Sequence, residues 1–173
     1  MSDEEIPGRN LVKSSHFEPN WEADWKHDGT GFAGVYIDDT YGFYMQLNGS
    51  AQVLQKVTVP RFTVAQWPEV KFRLGCQYEN LANGKESRIV VTTSSSLETI
   101  IDLSGIPANA EWNKYPQRHL EKMAQDDESL DITLHGPSIG GSGGLRLTAI
   151  ICDVLIPPLR VKQLKLDNKE YNP

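Results

Sequence analysis

Val70-Lys71-Phe72-Arg73-Leu74-Gly75-Cys76-Gln77-Tyr78 places an apolar or aromatic side chain at every second position, with Lys71, Arg73 and Gln77 between them. Successive side chains of a β-strand leave opposite faces of the pleat, so this period of two reads as a strand with one face on a core and one in water. Leu130-Asp131-Ile132-Thr133-Leu134 alternates in the same way. On either side, further short segments are cut by turn residues. Val35-Tyr36-Ile37 runs into Asp38-Asp39-Thr40, and Tyr41 to Leu47 ends at Asn48-Gly49. Asn-Gly is a strong two-residue turn signal, so 41–47 and 51–59 are expected to pair as a hairpin, closed at Pro60. Asn83-Gly84 turns the chain into Ser87 to Thr93, Leu97 to Leu103 stops at Ser104-Gly105, and 145–156 is the longest run. Residues 117–128 read either as one or two helical turns or as a strand with an acidic turn after it. Many short strands without βα alternation predict an all-β fold, a two-sheet antiparallel β-sandwich.

A length of 173 residues suits one domain with a sizeable core. The net charge of −6 argues against a general nucleic-acid binder, which needs a basic footprint to displace counterions. No apolar run approaches the ~20 residues that cross a bilayer, so membrane insertion is not expected. Met1-Ser2-Asp3-Glu4-Glu5 is acidic where a secretory leader is basic, which points to the cytoplasm or to export that reads no N-terminal signal. Cys76 and Cys152 each sit in an apolar run and read as two buried thiols rather than a bridge. Residues 1–9, with Pro7-Gly8, form a flexible leader, and Gly140 to Gly144 a flexible loop. The extension 157–173 contains an alternating segment, Leu159 to Leu166, with Arg160, Lys162 and Lys165. It reads as an added edge strand able to pair with a protein partner.

The two ends of the 10–156 span carry a resemblance. Asn10-Leu11-Val12 with Phe17-Glu18 and Trp21 opens the span, and Asp153-Val154-Leu155-Ile156 closes it. Between them come Gly42-Phe43-Tyr44-Met45-Gln46-Leu47, then Val53-Leu54-Gln55-Lys56-Val57-Thr58-Val59, the strand with Phe72 and Leu74, and Glu111-Trp112-Asn113. In this order and spacing the chain resembles the galactose-binding-like jelly rolls found in many carbohydrate-binding modules. The resemblance implies a jelly-roll sandwich whose first and last strands lie close together, and a carbohydrate or glycan as ligand.

It also implies a structural calcium ion between the opening loop and the closing strand, with Glu18 and Asp153 as ligands among backbone carbonyls. Members of the group commonly carry an acidic residue before the closing pair, where this chain has Cys152, a poor calcium ligand. For the sugar, aromatic faces stack on C–H faces and polar side chains fix the hydroxyls. Trp25 and Trp112 occupy steps that read as core plugs. Trp21, beside Pro19-Asn20, and Trp67, before Pro68, read as loop-borne. Tyr36 and Tyr41 flank Asp38-Asp39 as a rim, and Tyr44 faces a concave sheet surface. The candidate ligand-binding set is therefore Trp21, Tyr36, Asp38, Asp39, Tyr41, Tyr44 and Trp67.

Catalysis is not expected. Asp38-Asp39 and Asp126-Asp127-Glu128 are adjacent acids in turn-like contexts, not carboxylates held across a cleft. His16, His27, His119 and His135 show no metal-ligand spacing, and no nucleophile elbow or phosphate loop is present. The expectation is a non-catalytic carbohydrate-binding module. Its rival is a structural or interaction domain of the same fold, part of a toxin, a phage-like particle or an adhesin. Exposed rings would mark the first, and a flat apolar contact surface the second.

Overall fold

The structure is a computed structural model and describes residues 6–7, 9–59, 71–80, 86–103, 113–114, 118–120, 127–138 and 144–156. Its strands are β1 (Ile6–Pro7), β2 (Lys26–Asp28), β3 (Phe32–Asp38), β4 (Gly42–Asn48), β5 (Gln52–Thr58), β6 (Lys71–Asn80), β7 (Arg88–Thr93), β8 (Glu98–Asp102), β9 (Asn113–Lys114), β10 (Arg118–Leu120), β11 (Ser129–His135) and β12 (Leu145–Ile156). A single 3₁₀ turn, Trp21–Ala23, is the one helical element among the described residues. No helix among them is long and apolar enough to cross a membrane.

The strands form two antiparallel sheets. One runs β10-β6-β12-β4-β3, with β1 added to β12 and β9 to β6; the other runs β2-β5-β11-β7-β8. Alternation decides what lies between them. Met45 and Leu47 of β4, Leu74, Cys76 and Tyr78 of β6, and Leu145 and Leu147 of β12 face Val53 and Val57 of β5, Ile89 and Val91 of β7, and Leu130, Ile132 and Leu134 of β11. This is the two-sheet sandwich that the alternation predicts and the jelly roll that the resemblance implies, and the described half of the 70–78 pattern lies as expected. Cys76 and Cys152 are free and buried, and burial pushes both thiols up to about 12.

The expected hairpin does not form. Asn48-Gly49 does turn the chain: Gly49 and Ser50 both take positive φ, and the Ala51 N–H donates to the Asn48 carbonyl at 3.2 Å. But β4 pairs with β3 and β12, whereas β5 pairs with β2 and β11, so the turn carries the chain from one sheet to the other. Met45 and Leu47 on one arm, and Val53 and Val57 on the other, thereby face each other's sheets and are all buried in the shared core. The turn is then fixed by the chain beyond β11, where Ser50 donates to the Pro137 carbonyl at 2.7 Å and Gly136 to that of Ala51 at 2.9 Å. The true hairpin lies one step earlier, β3 to β4. Asp38 Oδ1 accepts the N–H groups of Thr40 and Tyr41, and Gly42 closes the loop at φ 75°.

The opening loop is stitched to both sheets. Asn10 Oδ1 accepts the N–H groups of Val12 and Cys152, and Asn10 Nδ2 donates to the Ile150 carbonyl. On the other sheet the buried Gln55 accepts the Lys13 N–H at 2.8 Å and donates to the Lys13 carbonyl at 3.0 Å. Trp25 is a core plug, packed on Phe17, with its Nε1 donating to the Lys13 carbonyl. Within the expected leader 1–9, Ile6 and Pro7 pair with Ile156 and Leu155. Of the two readings of 117–128, Arg118–Leu120 is a strand, paired with Phe72 to Leu74. The extension 157–173 lies outside the described residues, as do Trp67, Trp112, Asn83-Gly84 and most of the glycine-rich loop.

Candidate functional site: the outer face of the larger sheet

Residues opposite each other in register share a face. Met45 and Leu47 point into the core, so Tyr44 and Gln46 point out. Across the sheet Gln46 lies opposite Gly34 on one side and Arg146 on the other, and Arg146 lies opposite Glu79. In the neighbouring row Tyr36 lies opposite Tyr44, and Thr148 opposite Gln77. The first row thus crosses four strands, β3, β4, β12 and β6, a span of about 14 Å at ~4.8 Å per strand gap.

Aromatic rings cover one side of this face. Tyr36 stacks on Tyr44 with centroids 5.9 Å apart, and Phe32 lies 6.4 Å from Tyr36. The Phe32 ring occupies the space over Gly34, where a Cβ would meet its tip at 2.7 Å. Tyr44 is nearly buried under its neighbours, while Phe32 and Tyr36 are 48% and 45% exposed. A polar row continues the surface. The Arg146 guanidinium lies 5.2 Å from the Tyr44 centroid, donates to Glu79 Oε2 at 2.9 Å and reaches Gln46 Oε1 at 3.3 Å. The cation holds three partners at once and is fixed in place.

Strand β12 carries a bulge. Its register against β6 shifts by one residue between Thr148 and Ile151, Ala149 takes φ 50°, and the Thr148 hydroxyl donates to the Phe43 carbonyl at 2.7 Å. The extra residue reverses the facing of everything after it, so Ile150 and Cys152 enter the core and Asp153 joins Arg146 on the outer face. There Arg73 grips Asp153 with both arms, Nε to Oδ1 at 3.0 Å and Nη2 to Oδ2 at 2.6 Å.

That grip bears on the calcium expectation. Both oxygens of the buried Asp153 are engaged by a guanidinium, while Glu18 is exposed, with Oε1 4.0 Å from His16 Nδ1. Among the described residues no three His, Cys, Asp or Glu side chains assemble around one point. Calcium needs six to eight oxygens, and in this arrangement both carboxylate oxygens of Asp153 are already engaged by Arg73.

Of the expected sugar residues, Tyr36 and Tyr44 come together on the platform. Asp38, Asp39 and Tyr41 sit at the β3–β4 hairpin tip, where Asp38 serves the turn. Trp21 begins the 3₁₀ turn and packs its half-buried ring against the core. Trp67 lies outside the described residues. Phe32, Gln46, Glu79 and Arg146 were not read from the sequence. Phe32-x-Gly34-x-Tyr36 could have exposed the first, since period two sets a ring, a gap and a ring on one face.

No protein-family model and no curated protein matches the chain. Solved structures do. A Stig cyclase, Fisc from Fischerella sp. TAU, matches with TM-score 0.63 at 12% identity, over 89% of this chain and 99% of its own. The carbohydrate-binding module TmCBM61, solved with β-1,4-galactotriose, matches with TM-score 0.53 at 14% identity, over 83% of this chain and 97% of its own. The enzymatically active domain of bacteriophage CBA120 tailspike protein 4 matches with TM-score 0.55 at 15% identity, over 84% of this chain; the chain spans 21% of that protein's length. Binding modules and enzyme domains thus share the architecture, and what this chain has in common with them is the fold, a two-sheet jelly-roll β-sandwich.

Proposed function

We propose that the chain is a carbohydrate-binding module whose ligand lies across the outer face of the larger sheet. The observation that carries this is the adjacency of exposed Phe32 and Tyr36 to the fixed row Gln46, Arg146 and Glu79 on that face. Sugar rings have an apolar C–H face and a hydroxyl rim, and the platform presents a ring surface beside donors and acceptors at matching depth. Its span of about 14 Å suits an oligosaccharide rather than a single ring. Two carboxylates of the face, Glu79 and Asp153, are paired with arginines, which suits holding hydroxyls better than moving protons. TmCBM61, which shares the fold, is a module bound to a galactose chain, and that likeness supports the reading at the level of architecture.

The test is a glycan array followed by calorimetry on the best oligosaccharide, starting with β-1,4-galactotriose. Tyr36→Ala is expected to weaken binding by about tenfold, the ~1.4 kcal/mol scale of one stacked ring, with the melting curve little changed. Arg146→Gln is expected to weaken it as well. Binding that survives both substitutions would place the site elsewhere, and a blank array on folded protein would remove the proposal. Binding of an indole ligand in place of any sugar would align the face with the cyclase neighbours instead.

A further inference from the structure

An edge strand exposes unpaired backbone donors and acceptors, and natural sheets blunt such edges with short length, charge or proline. Apart from β3, the described edge strands follow that rule; β1 and β9 are two residues each. Strand β2 is three residues, Lys26-His27-Asp28; β10 is three, Arg118-His119-Leu120; and β8 carries Glu98 and Asp102 at its ends. Strand β3 does not. It runs seven residues, Phe32-Ala33-Gly34-Val35-Tyr36-Ile37-Asp38, with no charge before the last and no proline. All seven pair with β4 on one side, and β3 is outermost among the described strands. Phe32, Tyr36 and Ile37 are exposed along it, Ile37 at 68%.

We infer that β3 is a self-association edge, pairing antiparallel with β3 of a second copy about a two-fold axis at Gly34. Three features select a second copy. An antiparallel two-fold strand pair keeps like faces together, so the outer-face rings meet rings and inner-face Ala33 and Val35 meet each other. Centring on Gly34 sets Phe32 against the partner's Tyr36, a favourable aromatic cross-strand pair. Centring one residue on would set Phe32 against the partner's Asp38, whose Oδ1 already serves the turn. The third feature is charge. Each chain carries −6, yet the strip from Phe32 to Ile37 is uncharged, so the contact forms without opposing like charges and the remaining repulsion is long-range. The pair would join two larger sheets edge to edge and place two aromatic platforms side by side. The inference is independent of what the platform binds.

Sedimentation of the wild-type protein across a concentration series is expected to show a monomer–dimer equilibrium that tightens as salt rises, since salt screens the repulsion between acidic bodies. A dimer that loosens as salt rises would be held by charged contacts and would overturn pairing through the uncharged β3 strip. Gly34→Cys tests the register. Facing residues across an antiparallel pair have Cα atoms about 4.5–5.5 Å apart, within disulfide reach. The added Cβ meets only the tip of the exposed Phe32 ring, and the native thiols are buried. Under mild oxidation Gly34→Cys is expected to give a covalent dimer. Ile37→Cys, at a more exposed site whose counterpart would be the partner's Gly31, is expected to stay reduced. A wild-type protein that is monomeric at every concentration and salt overturns the inference. Cross-linking of Ile37→Cys as fast as Gly34→Cys overturns the register.

Discussion

Asn10 holds more of this molecule together than its size suggests. One amide accepts two backbone N–H groups and donates to a carbonyl, and two of those three bonds cross from the opening loop to the last strand. They fall at the bulge, where Ala149 sits at φ 50° and the strand ladder is interrupted, so the loop supplies bonds that the bulge removes. Asn10→Ala is therefore expected to lower stability by about 1–3 kcal/mol in urea unfolding, because it strands backbone groups in a partly buried place. Asn10 was legible as a motif residue, and the nearness of the chain ends with it. What was not legible is the facing of Asp153. Leu145 to Thr148 alternates, but Ala149 to Cys152 is an unbroken apolar run, so no alternation marks where one extra residue reverses the pleat. A carboxylate read as a calcium ligand consequently lies under Arg73.

At the scale of elements, strands were easier to see than their partners. Each alternating segment within the described residues became a strand, since a side-chain period is local. Pairing depends on which faces are buried together, and there the Asn48-Gly49 signal misled: the turn is real, but the arms belong to opposite sheets. The crossover is tight. Gly31 passes so close beneath it that a Cβ would lie 2.3 Å from the Asn48 carbonyl oxygen and 2.4 Å from Ala51 N and Gly49 O. All three are backbone atoms that cannot swing aside. Gly31→Ala is expected to cost more than about 2 kcal/mol, read as a drop in melting temperature, while alanine at exposed Gly29 meets no contact closer than 3.7 Å and is expected to cost only its φ strain. The platform needed the same cross-strand knowledge. Tyr36 and Tyr44 were recognisable as aromatics, but Arg146 lies a hundred residues from Gln46 and joins it only through register.

For the whole molecule, the core is one cluster shared by both sheets, and its two thiols report on it. Cys76 and Cys152 are enclosed and their ionisation is pushed up to about 12, so they are expected to resist a thiol reagent at neutral pH and to react together only when the sandwich opens. Biphasic labelling, with one thiol reacting early, would show that the sheets separate in stages. The stitched ends carry a further consequence, for biosynthesis. The bond from Cys152 to Asn10 spans 142 residues, and that from Lys13 to Gln55 spans 42. A nascent chain can therefore dock its opening loop onto one sheet early, but it cannot close the second contact until β12 has left the ribosome. Until then β4 and β6 lack the strand that lies between them, and the half-built sandwich exposes apolar faces for the remainder of translation. Such a protein completes its fold in a late, cooperative step, and its yield in a cell will follow how well that waiting intermediate is shielded.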